Sequence, residues 1–135
     1  MDKALNLLGL ARRGARIELG EEAVGGACRS GHARLLLLAC DAGDSVSHRA
    51  EYFVRNGKPP LLRLSYTKEE LGSALGRAVC PIAALTDVAL ALAFVKALPE
   101  QDEALVSLLE TAVARVEKRR QEEKAHQKNL RRGKK

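Results

Sequence analysis

The stretch RLLLLAC, residues 34–40, constrains the fold more than any other part of the chain. A strand sends successive side chains to opposite faces. Four leucines in a row therefore bury both faces, as in a central strand covered by helices above and below. The run is far shorter than the 18 or so apolar residues of a membrane-spanning helix, and no such run occurs elsewhere.

The flanking segments alternate around that strand. Residues 2–13 predict a helix with Leu5, Leu8 and Ala11 (or Leu7) toward a core, ended by Gly14. RIEL, 16–19, predicts a short strand. Gly20 then starts a second helix over 21–30, with Val24, Ala27 and Cys28 inward and Gly31 closing it. Gly25 and Gly26 fall mid-helix, where each costs about 1 kcal/mol relative to Ala, which points to close approach by another helix or a ligand. After the leucine strand, Asp44 or Ser45 caps a helix carrying Val46, Ala50, Phe53 and Val54 on one face, stopped by Gly57.

PPLLRL, 59–64, reads as a third strand. Thr67 and Glu70 form a capping box, and Tyr66 with Leu71 fits a hydrophobic staple, opening a helix that ends near Gly76. PIAALT, 81–86, is a fourth strand, and Asp87 caps a helix over 88–97. Pro99 breaks the chain. From residue 100, Leu105, Leu108, Leu109, Ala112, Val113 and Val116 make one apolar stripe. The stripe packs back on the domain, or pairs with a partner or a second copy. The expected fold class is α/β: a three-layer α/β/α sandwich on a small four-stranded mixed sheet, with a C-terminal helix and basic tail. The expected divisions are a domain over 1–98, an added amphipathic helix over 99–116, and a charged extension over 117–135.

Charge is unevenly placed. The chain carries +6, but residues 115–135 hold 10 Lys or Arg against 3 Glu, whereas residues 1–114 hold 13 basic and 14 acidic side chains. The basic tail points to phosphate contacts with nucleic acid. Its candidates are Lys118, Arg119, Arg120, Lys124, Lys128, Arg131, Arg132, Lys134 and Lys135. With only Tyr52, Phe53, Tyr66 and Phe94 as aromatics, the chain lacks the stacking surface of a single-strand reader, so RNA would be held by backbone charge and folded shape.

The motifs of common enzymes are absent: no P-loop, no G-x-S-x-G, no H-E-x-x-H. Cys28, Cys40 and Cys80 are odd in number and lie in apolar contexts, the pattern of buried reduced thiols. His32, His48 and His126 share no metal-ligand spacing. No enzyme activity, metal or cofactor is expected. MDKALNLLGLARRG has its basic pair after the apolar part, against a secretory signal, and a cytoplasmic protein is expected.

Several strings together, LLGLARRGARIELGEEAVGGACRSGHARLLLLACDAG, TKEELGSALGR and AALTD, resemble the L7Ae family of kink-turn RNA-binding ribosomal proteins, and within it the short bacterial YlxQ-like branch. The likeness runs from residue 3 to about 98. It implies a non-enzymatic protein for structured, kink-turn-like or ribosomal RNA, associated with the ribosome. It also implies that RNA meets the start of the second helix and the loop before the last strand. The family pattern is Gly, a small or polar residue, Asn, Glu, two variable residues, then Lys, with polar side chains reading guanine edges. Here those places hold Gly20, Glu21, Glu22, Ala23 and Gly26. Glycine is kept; Asn, Glu and Lys are not.

The resemblance places the second surface at GRAVCP, with Arg77, Ala78, Val79 and Cys80 as contacts, while Arg13 and Arg16 are expected to offset the glutamates. Glu21 and Glu22 read either as an altered base-reading edge or as acids favouring a helix N-terminus. The alternative function is a protein-interaction module on the same fold that has lost kink-turn reading, using the 105–116 helix for a partner or for self-association.

Overall fold

A computed structural model describes residues 2–57 and 59–132. Ten elements alternate along it: α1 (Lys3–Arg13), β1 (Ile17–Leu19), α2 (Glu21–Arg29), β2 (Leu35–Leu38), α3 (Asp44–Gly57), β3 (Leu61–Arg63), α4 (Lys68–Leu75), β4 (Ile82–Leu85), α5 (Val88–Lys96) and α6 (Glu103–Arg132). The four strands form one mixed sheet in the order β1-β4-β2-β3. β4 runs antiparallel to both β1 and β2, with Leu19 opposite Ala83 and Leu38 opposite Ile82. β2 and β3 are parallel.

The leucine run is an inner strand, between β4 and β3, and is fully buried. Its period of two splits the core. Leu35 and Leu37, with Ile17, Leu19, Ala83 and Leu85, join the apolar side chains of α1, α4, α5 and α6. Leu36 and Leu38, with Ile82 and Ala84, join those of α2 and α3. Three layers follow directly from that alternation.

Local signals set the helix ends. Asp2 lies just outside α1 and caps it, accepting from the Ala4 and Leu5 N–H groups. The capping box at α4 is complete: Glu70 N–H donates to Thr67 Oγ1 at 3.1 Å, and Thr67 N–H to Glu70 Oε1 at 3.0 Å. α3 begins a residue earlier than expected. The Ser47 N–H bonds to the Gly43 carbonyl, so Asp44 is a first-turn residue, and Gly57 lies within the helix. Asp102 caps α6 through the Leu105 N–H, moving its start from the expected 100 to Glu103.

α6 departs from the expected division at residue 116. It runs unbroken for 30 residues, about 45 Å. It packs antiparallel to α5: Glu110 pairs with Lys96, while Val113 and Val116 lie beside Val88 and Ala89. Leu105 and Leu109 are buried in the main core, at 8% and 1% exposure. Leu108 is 53% exposed, so the expected stripe is only partly covered. Leu108 is one residue, about 100°, round the helix from Leu109, and α5 covers only one side of α6.

Candidate nucleic-acid interface

The sheet topology gathers four chain segments at one edge, the one formed by strand ends rather than by an outer strand. Because β4 is antiparallel to both neighbours, the ends of β1 and β2 meet the start of β4, and β3 ends beside β2. Backbone hydrogen bonds tie the edge together. Gly20 N–H donates to the Ile82 carbonyl at 3.2 Å, Ala39 N–H to the Pro81 carbonyl at 2.9 Å, and Cys40 N–H to the Tyr66 carbonyl at 2.9 Å. Lys68 N–H donates to Asp41 Oδ1 at 2.7 Å.

α2 leaves this edge with no linker. Gly20 turns the chain at φ +91°, ψ 160°, a conformation open essentially to glycine alone. No side chain caps α2, and Glu21 and Glu22 occupy its first turn, where carboxylates favour the helix dipole. Glu22 is exposed and Glu21 half-buried.

The loop 76–81 lies against α4. Gly76 turns with φ +76°, and Arg77 N–H reaches the Gly72 carbonyl at 2.8 Å. A Cβ at Gly72 would stand 2.7 Å from the Arg77 carbonyl oxygen, so only glycine lets the loop lie so close. The loop then presents Arg77, Ala78 and Val79 to solvent. A Cβ at Gly20 would stand 3.7 Å from Arg77 Nη1. The two surfaces implied by the resemblance are thus neighbours. Arg77 lies over the start of α2, and Glu21 and Glu22 counter the positive charge that it adds to a helix N-terminus.

Several expected contacts lie elsewhere. Cys80 is buried, its thiol donating to the Ile82 carbonyl at 3.3 Å; burial pushes its pKa up, and it belongs to the core rather than the interface. Arg16 stands at the start of β1, the opposite edge of the sheet, and pairs with Asp87. Burial works against the Asp87 carboxylate, yet the Leu90 N–H, Arg16 and the Ala89 N–H together hold its pKa below the ordinary value. Arg13 borders the groove between α1 and α4 with Ser73 and Ala74. Among the described residues, neither arginine pairs with Glu21 or Glu22. Ala23 lines a separate groove of about 440 Å³ with Glu18, His32 and Arg34.

The glycine pair in α2 divides. A Cβ at Gly25 would stand 2.9 Å from the Phe53 ring of α3, whereas one at Gly26 would meet only Arg29 Nη2, at 4.0 Å. Close approach by a helix explains Gly25; Gly26 leaves open surface.

Sequence reasoning missed Cys40 and Asp41 as members of the edge. Both are exposed there, correcting the expectation of a buried Cys40. The available signal was a polar residue directly after a buried strand, where the chain leaves the core. In the tail, Lys118, Arg119, Arg120, Lys124 and Lys128 are exposed on α6. Arg131 and Arg132 lie on its last turn, and Lys134 and Lys135 lie outside the described residues.

No family model matches the chain, and no curated protein matches it. Its structure is similar to that of a protein with unknown function from Bacillus halodurans, with 26% sequence identity and a TM-score of 0.67. That likeness covers 74% of this chain and all of the other. No described helix is long and apolar enough to cross a membrane.

Proposed function

We propose that the chain is a non-enzymatic, ribosome-associated, cytoplasmic RNA-binding protein that meets structured RNA of kink-turn type at the Gly20–Arg77 edge. The observation that carries this reading is the placing of Arg77 over the uncapped start of α2. Arg77 supplies a phosphate partner beside the N–H groups of a helix N-terminus, against the repulsion of Glu21 and Glu22 in its first turn. Ala78 and Val79 offer backbone and apolar contact to an unstacked nucleotide. Glu22 accepts hydrogen bonds from guanine amino and imino groups, and discriminates by acceptance alone. The tail adds affinity through phosphate charge.

The test is binding of the full chain to a kink-turn RNA and to the same stem with its G·A pairs replaced by Watson–Crick pairs. The reading expects preference for the kinked RNA, a loss of about tenfold with Arg77→Gln, and reduced discrimination with Glu22→Ala. A phosphate contact and a base contact are each worth such changes. Equal affinity for both RNAs, unmoved by either variant, overturns it.

One observation favours a second reading, a protein-interaction module. Ala23 turns into the side groove and Gly26 carries no side chain, so two family reading positions bring no polar group to RNA. That reading expects no kinked-RNA preference and a concentration-dependent mass or a protein partner that Leu108→Glu abolishes.

A further inference from the structure

The edge of the sheet opposite Gly20 carries a second concentration of cations. Arg16 opens β1 and Arg34 precedes β2, and the two border one groove of about 330 Å³ that α6 closes with Val113, Val116 and Arg120. Arg34 is exposed, its Nη1 donating to the Gly31 carbonyl at 3.2 Å. The groove also contains Asp87 and Glu117. Asp87 is committed: it accepts from the N–H groups of Ala89 and Leu90 and pairs with Arg16. That leaves Glu117 lining the groove with Arg34 and Arg120, and Glu18 lining the adjoining groove with Arg34.

α6 extends this surface outward. Past Arg120 it continues for 12 residues, roughly 18 Å. Its charges are only partly segregated. Arg120, Lys124 and Lys128 recur every fourth residue and therefore stack along one face. Glu122 lies about 160° round the helix from Lys124, whereas Glu123 lies about 60° from Arg120 and Glu117 about 20° from Lys124, so the row of cations is bordered by two carboxylates near its start. Lys118 lies about 40° from Glu122 and pairs with it at 4.0 Å. Among the described residues, no carboxylate pairs with Arg120, Lys124 or Lys128.

We propose that Arg34, Arg120, Lys124 and Lys128, with Arg16 beside them, form a second RNA contact that tracks the phosphate backbone of an A-form duplex. Double-helical RNA is held mostly by shape and backbone contacts rather than by base reading. A straight row of cations about 6 Å apart along a rigid helix suits that role. The contact lies at the sheet edge opposite the Gly20–Arg77 site, so one molecule would hold two RNA segments, one on each edge. This inference rests on the reading of the chain as an RNA-binding protein, and it separates the tail cations into those that contact RNA and those that do not.

The experiment uses the full chain and two RNAs across a salt series: a perfect duplex without internal loops, and a kink-turn RNA with short stems. A DNA duplex of the same sequence is the third probe. Two charge-matched triples are compared, Arg120→Gln/Lys124→Gln/Lys128→Gln on the track and Arg115→Gln/Lys118→Gln/Arg119→Gln on the opposite face, together with Arg34→Gln. Circular dichroism checks that α6 keeps its helicity. The track triple is expected to flatten the salt slope on duplex RNA by about 2 to 3, one phosphate for each lost cation. Arg34→Gln is expected to flatten it by about 1, and the opposite-face triple by less than 1. Equal effects of the two triples overturn the track. So does a wild-type chain that fails to bind the duplex; if it still prefers the kink-turn RNA, the Gly20–Arg77 reading stands without the track. A DNA duplex bound as tightly as the RNA overturns the assignment to RNA.

Discussion

The phenolic hydroxyl of Tyr66 donates to Asp2 Oδ2 across 2.6 Å, while Asp2 Oδ1 accepts the N–H groups of Ala4 and Leu5. One carboxylate thus caps α1 and ties it to the entrance of α4. The two groups shift in opposite senses. The hydrogen bond from Tyr66, first among its causes, holds the Asp2 pKa below the ordinary value. Burial, and then the bond and charge of Asp2, push Tyr66 up from 10.0 to about 12.

The signs give a pH dependence at both ends. Asp2 contributes stability above the ordinary carboxylate pKa, and this is lost as pH falls through its lowered value. Tyr66 contributes stability in full below 10.0, and this is lost as pH rises through about 12. Tyr66→Phe is expected to lower the urea midpoint at neutral pH and to reduce both dependences, because each needs the phenol. Urea titrations from acid to alkaline pH check this; a variant with the wild-type profile would show the contact to be idle.

Adjacent glycines in α2 should answer the same substitution with opposite signs. Gly25→Ala puts a Cβ 2.9 Å from two Phe53 ring carbons and 3.2 Å from Arg29 Nη1. Overpacking of this kind costs about 1–3 kcal/mol, more than the roughly 1 kcal/mol that Ala returns in helix propensity. Gly26→Ala meets only a guanidinium at 4.0 Å, so the propensity gain remains and stability rises by up to about 1 kcal/mol. Denaturant unfolding of the two variants decides it.

Leu108 and Leu109 offer the same kind of contrast on α6. Leu109 is buried against the core of α1, α4 and α5, and Leu109→Ala is expected to cost about 2–5 kcal/mol. Leu108 is exposed, and Leu108→Ala should change stability by no more than about 0.5 kcal/mol. Thermal and urea unfolding compare them. A large loss from Leu108→Ala would mean that its face is covered in solution, as a second copy would cover it.

How far each feature was legible depends on the distance over which it is set. The leucine strand, the Thr67–Glu70 box and the Asp87 cap are written in consecutive residues, and all three stand where their local pattern puts them. The edge that joins Gly20 to Arg77 is set by strand direction across 57 positions, and the resemblance, not spacing, brought those segments together. Arg16 shows the limit. It lies only four residues before Gly20, but three residues of extended β1 carry it to the other edge of the sheet. Cys80 keeps the burial that its apolar neighbours imply, because it enters a strand under a loop, whereas Cys40 leaves a strand at the edge and is exposed. The charge run after Val116 hides a continuing helix, since apolar periodicity ends where packing ends, while backbone hydrogen bonding does not.

The three thiols turn that difference in exposure into a footprint of the interface. Cys28 and Cys80 are buried, and burial raises both of their pKa values, so neither offers an accessible thiolate. Cys40 is exposed at the edge shared with Asp41 and the 76–81 loop. Native protein is therefore expected to take up one equivalent of a small alkylating reagent quickly, and two more only on unfolding, as read by mass spectrometry. RNA seated at the Gly20–Arg77 edge is expected to slow the Cys40 reaction. A duplex held only by Arg34, Arg120, Lys124 and Lys128 should leave its rate unchanged, because that contact lies at the other edge of the sheet. A kink-turn RNA that binds without protecting Cys40 would place its contact away from Gly20, and a duplex that protects Cys40 would bring the second contact to the first edge.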